Sequence, residues 1–485
     1  MLNKQKWLSA MLAIAIAPIA GASVIGEGPN KRHIEQADIE AGQYTIRELV
    51  EHGRHIMFDD FNSFDGHGDP ERPGINSQGV PTGFNRVSGG GDNTSCAHCH
   101  TKPLLGGAGD YAQSIYPEFN RPDGVNILGF EGLNVKNSKS IFGVGPKEML
   151  GREMTADIKA TTDQALADAA SSGQAVRVAI GSKGTDFGFV TAHPDGTLDT
   201  HEVDGITHDL IVRPFVSVGA FDSLRTIVAG SMEQHFGIEA EELFGMDDDG
   251  DGIERELTVG DVTAAALFQA SLFIPSEVRS FDPRVRAAVS DGRDTFSKIG
   301  CSDCHTPSMT LNDPVYTVTA PDSDEEISLD LTRDSFYPRL RRRFDGSAEV
   351  RLYSDLKRHD MGAELRESVE EVERESHQHY LTMPLWGVAN TGPWMHDGRA
   401  TTMTEAILLH GGEAQVSRDN FANMDHDGQS EVVEFLKSLQ VAVIDPRYLL
   451  PNLPLPSNLS RIGGAAESAS ADKIMTDIEN AIRSE

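Results

Sequence analysis

Apolar residues recur every three to four positions in several stretches of the chain, the spacing of one face of an α-helix. This period predicts helices at 44–55, 155–171, 221–240, 258–274, 285–297, 402–410, 429–439 and 470–483. Residues 175–200 alternate with period two instead, which predicts a β-hairpin with a turn at 193–196. The stretch 308–350 reads as mixed loop. The pattern therefore predicts a mainly α fold with long loops and a small β-hairpin insertion.

The N-terminal 22 residues have the pattern of a secretory signal peptide. Lys4 and Lys6 precede an apolar stretch at 7–19, and small residues follow at 20–22. A membrane anchor is the alternative, but a spanning helix needs roughly 20 apolar residues. We expect an exported protein, periplasmic or secreted, with no membrane span in the mature chain.

All four cysteines fall within two Cys-x-x-Cys-His pentads. The pentad residues with chemical roles are Cys96, Cys99 and His100 in the first and Cys301, Cys304 and His305 in the second. Two thiols at this spacing can add to the vinyl groups of one haem, and the following histidine then binds the iron. Half of a zinc site or a thioredoxin-like pair would explain the cysteines but not the histidine. We therefore expect two covalently attached haems c, with His100 and His305 as iron ligands.

The order of pentad, long middle section, pentad and closing segment predicts two cytochrome c-like haem domains. We place them at 23–282 and 283–445, after the signal peptide at 1–22 and before a tail at 446–485 that holds several Pro, Gly and Ser.

Charge narrows the range of partners. The chain carries 75 acidic against 42 basic residues, a formal net charge of −33. Such a surface repels nucleic acid and anionic membranes, and it attracts a basic partner such as a small electron-transfer protein. Solubility alone is the other explanation of this charge.

A run of acidic residues resembles a calcium-binding loop. Asp247, Asp249 and Asp251 occupy positions 1, 3 and 5, and Gly252 occupies position 6. Position 12 would be Thr258 rather than the usual glutamate, so a solvated turn is the alternative to calcium. A second acidic pair, Asp425 and Asp427, is read as the start of a helix, with a side-chain N-cap.

Several motifs in the last third of the chain resemble a known family. They are YSDL at 353–356, HDMG at 359–362, PLWG at 384–387, MHDGRA at 395–400 and HGGEA at 410–414. They resemble the signatures of the di-haem oxidoreductases, a branch of the bacterial di-haem cytochrome c peroxidase superfamily, and the resemblance extends over about residues 84–445. It implies a periplasmic enzyme that reduces hydrogen peroxide with electrons relayed through the second haem. A cytochrome c or a cupredoxin would be the electron donor.

The resemblance also implies roles for particular residues. His410 is at the position of the sixth ligand of the second haem, with Met361, Met395 or Met403 as alternatives. Glu148 matches the acid–base glutamate of the peroxide site, with Glu153 as runner-up, although Glu148 could also be an exposed carboxylate at a helix start. His235 is a candidate distal ligand or pocket residue of the first haem, or a core histidine.

The better-known members of the family have a tryptophan between the haems, in the segment after the first pentad, and this chain has none near 100–150. Trp386 or Trp394 could bridge the haems instead, or Tyr111 or Tyr116, or there is no aromatic bridge. Two other functions stay open on the sequence: an electron-transfer cytochrome with two bis-histidine haems, and an oxidase of a sulfur compound or of a partner protein's side chain.

Overall fold

A computed structural model of the protein describes residues 27–68, 93–110, 114–117, 133–246, 252–280, 282–365 and 378–441. The signal peptide at 1–22, the candidate calcium ligands Asp247, Asp249 and Asp251, Tyr111, the tail at 446–485 and the predicted helix at 470–483 lie outside these residues. Within them, no helix is both long and apolar enough to cross a membrane.

The described residues form ten α-helices. They are α1 (Gln36–Glu40), α2 (Ile46–Phe58), α3 (Val144–Ser172), α4 (Leu224–Phe236), α5 (Glu241–Phe244), α6 (Val259–Ser271), α7 (Pro283–Lys298), α8 (Met403–Leu408), α9 (Gln415–Ala422) and α10 (His426–Ser438). Local capping explains several of the starts. Thr45 caps α2 and Thr258 caps α6, each in a reciprocal capping box. Asp425 caps α10 by accepting the backbone N–H of Gly428, as predicted.

Thirteen short strands accompany the helices. They are β1 (Ser114–Pro117), β2 (Leu133–Lys136), β3 (Val176–Ser182), β4 (Thr185–Ala192), β5 (Leu198–Asp199), β6 (Ser276–Glu277), β7 (Met309–Leu311), β8 (Val315–Thr319), β9 (Glu326–Asp330), β10 (Ala348–Val350), β11 (Arg358–Asp360), β12 (His379–Leu381) and β13 (Leu439–Gln440). The antiparallel pairs are β1–β2, β6–β13, β7–β10, β8–β9 and β11–β12, and β3, β4 and β5 form a three-stranded sheet.

Three sequence predictions need correction. The hairpin is a three-stranded sheet, because a tight turn at Lys183 and Gly184, both with positive φ, adds a strand before the predicted turn at 193–196. The stretch 308–350 contains four strands. Helix α3 begins at 144 rather than 155, because its first eight residues are all buried and therefore show no amphipathic period.

The larger hydrophobic core surrounds α6, which is buried along almost its whole length and packs against α2 and α4. Helix α2 comes so close that a Cβ at Gly53 would lie 2.0 Å from the carbonyl oxygen of Ala264. This core also includes β8 residue Tyr316 and Trp386, so residues from both sides of position 282 share it. A smaller core joins α7 and α10 around Phe296 and Phe435. The fold is mixed and mainly helical. It does not show the two cytochrome c-like domains that the sequence predicts.

Candidate haem sites

The two pentads have the same local backbone. Each cysteine pair begins a 3₁₀ turn, at Cys96–His98 and at Cys301–Asp303. The backbone N–H of His100 donates to Cys96 (2.9 Å), and that of His305 donates to Cys301 (3.0 Å). All four cysteines belong to the described residues, are half-buried, and form no disulfide. Both turns therefore keep two thiols and one histidine together, as attachment of one haem requires.

Three histidines share a hydrogen-bonding pattern that suits metal ligation. Nδ1 of His100 lies 3.0 Å from the carbonyl oxygen of Gly107, Nδ1 of His305 lies 3.0 Å from that of Tyr353, and Nδ1 of His410 lies 2.8 Å from that of Ala406. A carbonyl oxygen only accepts, so each Nδ1 carries the hydrogen, and in the neutral rings of His305 and His410 the Nε2 keeps a lone pair. His100 has a further backbone hydrogen bond, to Lys139.

Burial favours the neutral, metal-binding form of the same three histidines. Desolvation lowers the pKa of His100 and of His410, and it lowers the pKa of His305 to about 4. A neutral imidazole is the form that binds a metal ion.

His305 and His410 face each other across a cavity of about 360 Å³ that Cys301 and Cys304 also line. Their ring centres are 6.5 Å apart. Two imidazoles on opposite sides of one metal ion have ring centres about 6 Å apart, since a metal–nitrogen bond is about 2 Å. The donors therefore fit a haem whose iron lies between the two rings. Met361, Met395 and Met403, the alternatives to His410, line the same cavity.

The first pentad also has a second histidine nearby. His235 lies in the last turn of α4. Its charge adds to the desolvation that lowers the pKa of His100, so the two rings are within electrostatic range. The neighbouring ring of Phe236 stacks on Phe61, with ring centres 5.8 Å apart. The pocket role of His235 stays a prediction.

Aromatic residues connect the two pentads. Trp386 lines the cavity of the second pentad. It packs so closely on Gly143 that a Cβ at Gly143 would lie 2.6 Å from the Trp386 ring. Phe142 precedes Gly143, and its ring contacts Gly106, whose N–H donates to the carbonyl of His100 (2.8 Å). Trp394 also lines the cavity and donates its ring N–H to Val388 (3.0 Å). Of the bridges considered from the sequence, Trp386 therefore has contacts leading to both pentads.

Glu148 is fully buried rather than exposed at a helix start. It forms an ion pair with Arg152 and accepts the backbone N–H of Leu224 at 2.8 Å. Burial raises the pKa of Glu148 to about 7 although Arg152 opposes the shift, and burial together with the charge of Glu148 raises the pKa of Tyr316. These contacts join α3, α4 and β8. Glu148 is not among the residues that line the cavity of the second pentad. Its peroxide role stays a prediction.

Glu153, the runner-up, has structural contacts. It lies 2.5 Å from the ammonium of Lys183 and accepts the backbone N–H groups of Asn312 and Asp313. These bonds hold the β3–β4 turn against the chain after β7.

An ion-pair group that the sequence did not predict lies beside the second pentad. Nε2 of His359 lies 2.8 Å from Asp355, and Nδ1 lies 2.7 Å from Glu413. Burial lowers the pKa of His359, but the carboxylates outweigh it and raise the pKa to about 11. Ligand atoms of Cys304, Asp355 and His359 lie within 4.8 Å of one another. The four-residue spacing of Asp355 and His359 was visible in the sequence, but the partner Glu413 was not.

Comparison with known proteins supports the resemblance. Residues 262–439 match the family described as "Di-haem oxidoreductase, putative peroxidase". The match contains the second pentad, His359 and His410, and it confirms the similarity to this family that the motifs indicate. The family description supports an oxidoreductase that uses haem. No curated protein matches the chain.

Two solved structures are similar at low identity. Hydrazine synthase of Kuenenia stuttgartiensis is 16% identical over 90% of this chain and 100% of its own, with a TM-score of 0.33. A MauG-like protein associated with microbial copper homeostasis is 14% identical over 50% of this chain and 77% of its own, with a TM-score of 0.25. Both TM-scores are below 0.5, so neither similarity supports a fold or a function for this chain.

Proposed function

We propose that the protein is an exported di-haem c-type oxidoreductase of peroxidase type. It reduces hydrogen peroxide with electrons from a small redox protein, a cytochrome c or a cupredoxin, relayed through the second haem. The observation that carries this proposal is the facing pair His305 and His410, each with a free Nε2, beside the cysteines of one pentad.

The residues of the chain divide the work between two sites. Bound haem supplies one-electron redox chemistry. His305 and His410 would hold the second haem. Two histidine ligands would suit that haem to storing and relaying electrons, at a lower reduction potential than a histidine with a methionine. The first site, with His100 and the nearby His235, is where peroxide would bind.

Peroxide reduction also consumes protons, so a group that exchanges a proton near neutral pH is required. Glu148 is our candidate, and its pKa of about 7 suits the task. Its described contacts are with Arg152, Leu224 and Tyr316 rather than with His100, so peroxide turnover by a Glu148→Gln variant tests this assignment.

The acidic surface supports a basic electron donor. With a net charge of −33, association should be fast at low salt and should slow steeply as salt rises. Calcium at Asp247, Asp249 and Asp251 is part of the same proposal. It predicts that calcium raises the melting temperature of chelator-treated protein, and an unchanged melting temperature would refute it.

The test uses the holoprotein exported from a cell that attaches haem c. We expect two covalent haems per chain by pyridine haemochrome assay, and peroxide-dependent oxidation of a reduced basic cytochrome c. The same assay is run with thiosulfate as the alternative substrate. If the haems are attached but the protein turns over no peroxide in any reduction state, the peroxidase assignment is refuted, while the assignment as a redox protein remains.

A second candidate is an electron-transfer cytochrome in which both irons have two histidine ligands. The electrostatic effect of His235 on the pKa of His100 favours it. Carbon monoxide binding by the half-reduced protein distinguishes the two candidates, because only an accessible iron binds it. If His235 closes the first site, wild type will not bind carbon monoxide and His235→Ala will.

A further inference from the structure

Lys147 is a buried lysine without an anionic partner among the described residues. It lies in the first turn of α3 and is 6% exposed. Its ammonium lies 4.8 Å from the centre of the Phe215 ring, a weak cation–π contact. The Lys147 ammonium has no hydrogen bond or ion pair among the described residues. Desolvation lowers the pKa of Lys147 to about 7, and no carboxylate of the described residues offsets the effect of burial.

This lysine lines the same cavity as the second pentad. Two carboxylates also belong to the cavity wall, Asp303 and Glu413. Glu413 is paired with His359, and neither carboxylate affects the pKa of Lys147. A buried ammonium is costly unless an anion pairs with it. The cavity is therefore built to receive a ligand that brings negative charge to Lys147.

Haem meets that requirement chemically. Its two propionate groups are carboxylates, and they lie on the edge opposite the vinyl groups that the cysteines bind. Cys301 packs against the smaller core, whereas α3, which carries Lys147, contributes apolar residues to the larger one. We propose that Lys147 binds a propionate carboxylate of the second haem as a buried ion pair.

This ion pair would tune the second haem. A positive charge near haem stabilises the reduced form, which carries one more electron, and a buried charge is poorly screened by salt. Lys147 therefore raises the reduction potential of the second haem, against the lowering by two histidine ligands. The inference rests on the second haem of the proposed function.

The test compares two variants at this position with a control on the same helix. Lys147→Met removes the charge and keeps most of the volume, and Lys147→Arg keeps the charge. Lys159→Met removes a charge from an exposed lysine of α3 that pairs with Asp163 at 2.8 Å. The readouts are the haem content and the midpoint potential of the second haem by spectroelectrochemical titration.

We expect Lys147→Met to lower the potential by about 59 mV, which corresponds to a tenfold change in a one-electron equilibrium. Lys147→Arg and Lys159→Met should stay close to wild type. Loss of the second haem in Lys147→Met but not in Lys147→Arg would also support the proposal, because charge would then be needed to seat the haem.

Two outcomes would overturn the inference. One is full haem content and an unchanged potential in Lys147→Met, which would leave a free anion as the ligand of Lys147. The other is loss of the second haem in both variants at 147, which would show that shape rather than charge matters. Absence of the second haem from wild type would instead refute the proposed function.

Discussion

His359 lies between two carboxylates beside the second pentad, and its replacement by glutamine tests that arrangement. Both ring nitrogens face a carboxylate oxygen, Asp355 at 2.8 Å and Glu413 at 2.7 Å. Both nitrogens must therefore donate, and the ring is an imidazolium. Glutamine offers one amide group and no charge, so at least one carboxylate loses its partner.

The magnitude follows from the burial of the two carboxylates. The side chain of Asp355 is 6% exposed, whereas that of Glu413 is 45% exposed and also accepts the backbone N–H of Asp360. Removing one partner of a buried ion pair costs about 3–5 kcal/mol. Because water can reach Glu413, we expect His359→Gln to lower the free energy of unfolding by about 3 kcal/mol, the lower end.

The effect must depend on pH in one direction. The pKa of His359 is raised from 6.5 to about 11, so the folded state holds a proton that the unfolded chain releases near pH 6.5. The stabilisation by His359 is complete below pH 6.5 and is lost as the pH rises toward 11. The difference between wild type and His359→Gln should therefore be largest at pH 6 and smaller at pH 9.5.

The assay is chemical unfolding of the holoprotein at these two pH values, followed by the Soret band and by circular dichroism. His426→Gln is the control, because the side chain of His426 is 92% exposed. A difference below 1 kcal/mol at pH 6, or one that does not shrink at pH 9.5, would refute the imidazolium bridge.

Three further predictions follow from the site. His410→Gly should abolish the low-spin spectrum of the second haem and leave that of the first unchanged; an unaltered second spectrum would assign the sixth ligand elsewhere. Gly143→Ala should destabilise the fold by about 1–3 kcal/mol in thermal or chemical unfolding, because its φ is +74° and its Cβ would lie 2.6 Å from Trp386. Glu148→Gln should remove a pH dependence of the free energy of unfolding. The pKa of Glu148 is raised from 4.5 to about 7, so wild type becomes less stable as the pH rises through that range, and the variant should not. Undiminished peroxide turnover in Glu148→Gln would exclude proton transfer by this residue.

Local patterns in the sequence determined much of this protein. The pentads predict a turn that presents two thiols and a histidine, and that turn recurs at both positions. Helices α6, α7 and α10 begin within three residues of their predicted starts, because caps and apolar spacing act over a few neighbouring residues. The family resemblance also pointed to His410, whose ring centre lies 6.5 Å from that of His305.

Only the tertiary structure decided the electrostatics of the site. His359 and Glu413 are 54 residues apart, and no local pattern pairs them. Lys147 and Glu148 are adjacent charged residues that resemble an exposed helix start. Packing buries both and gives Glu148 the partner Arg152, whereas Lys147 has no charged partner within the part of the chain that the structure describes. The pKa of a side chain depends on the water and charges around it, and those are fixed only when distant segments pack together.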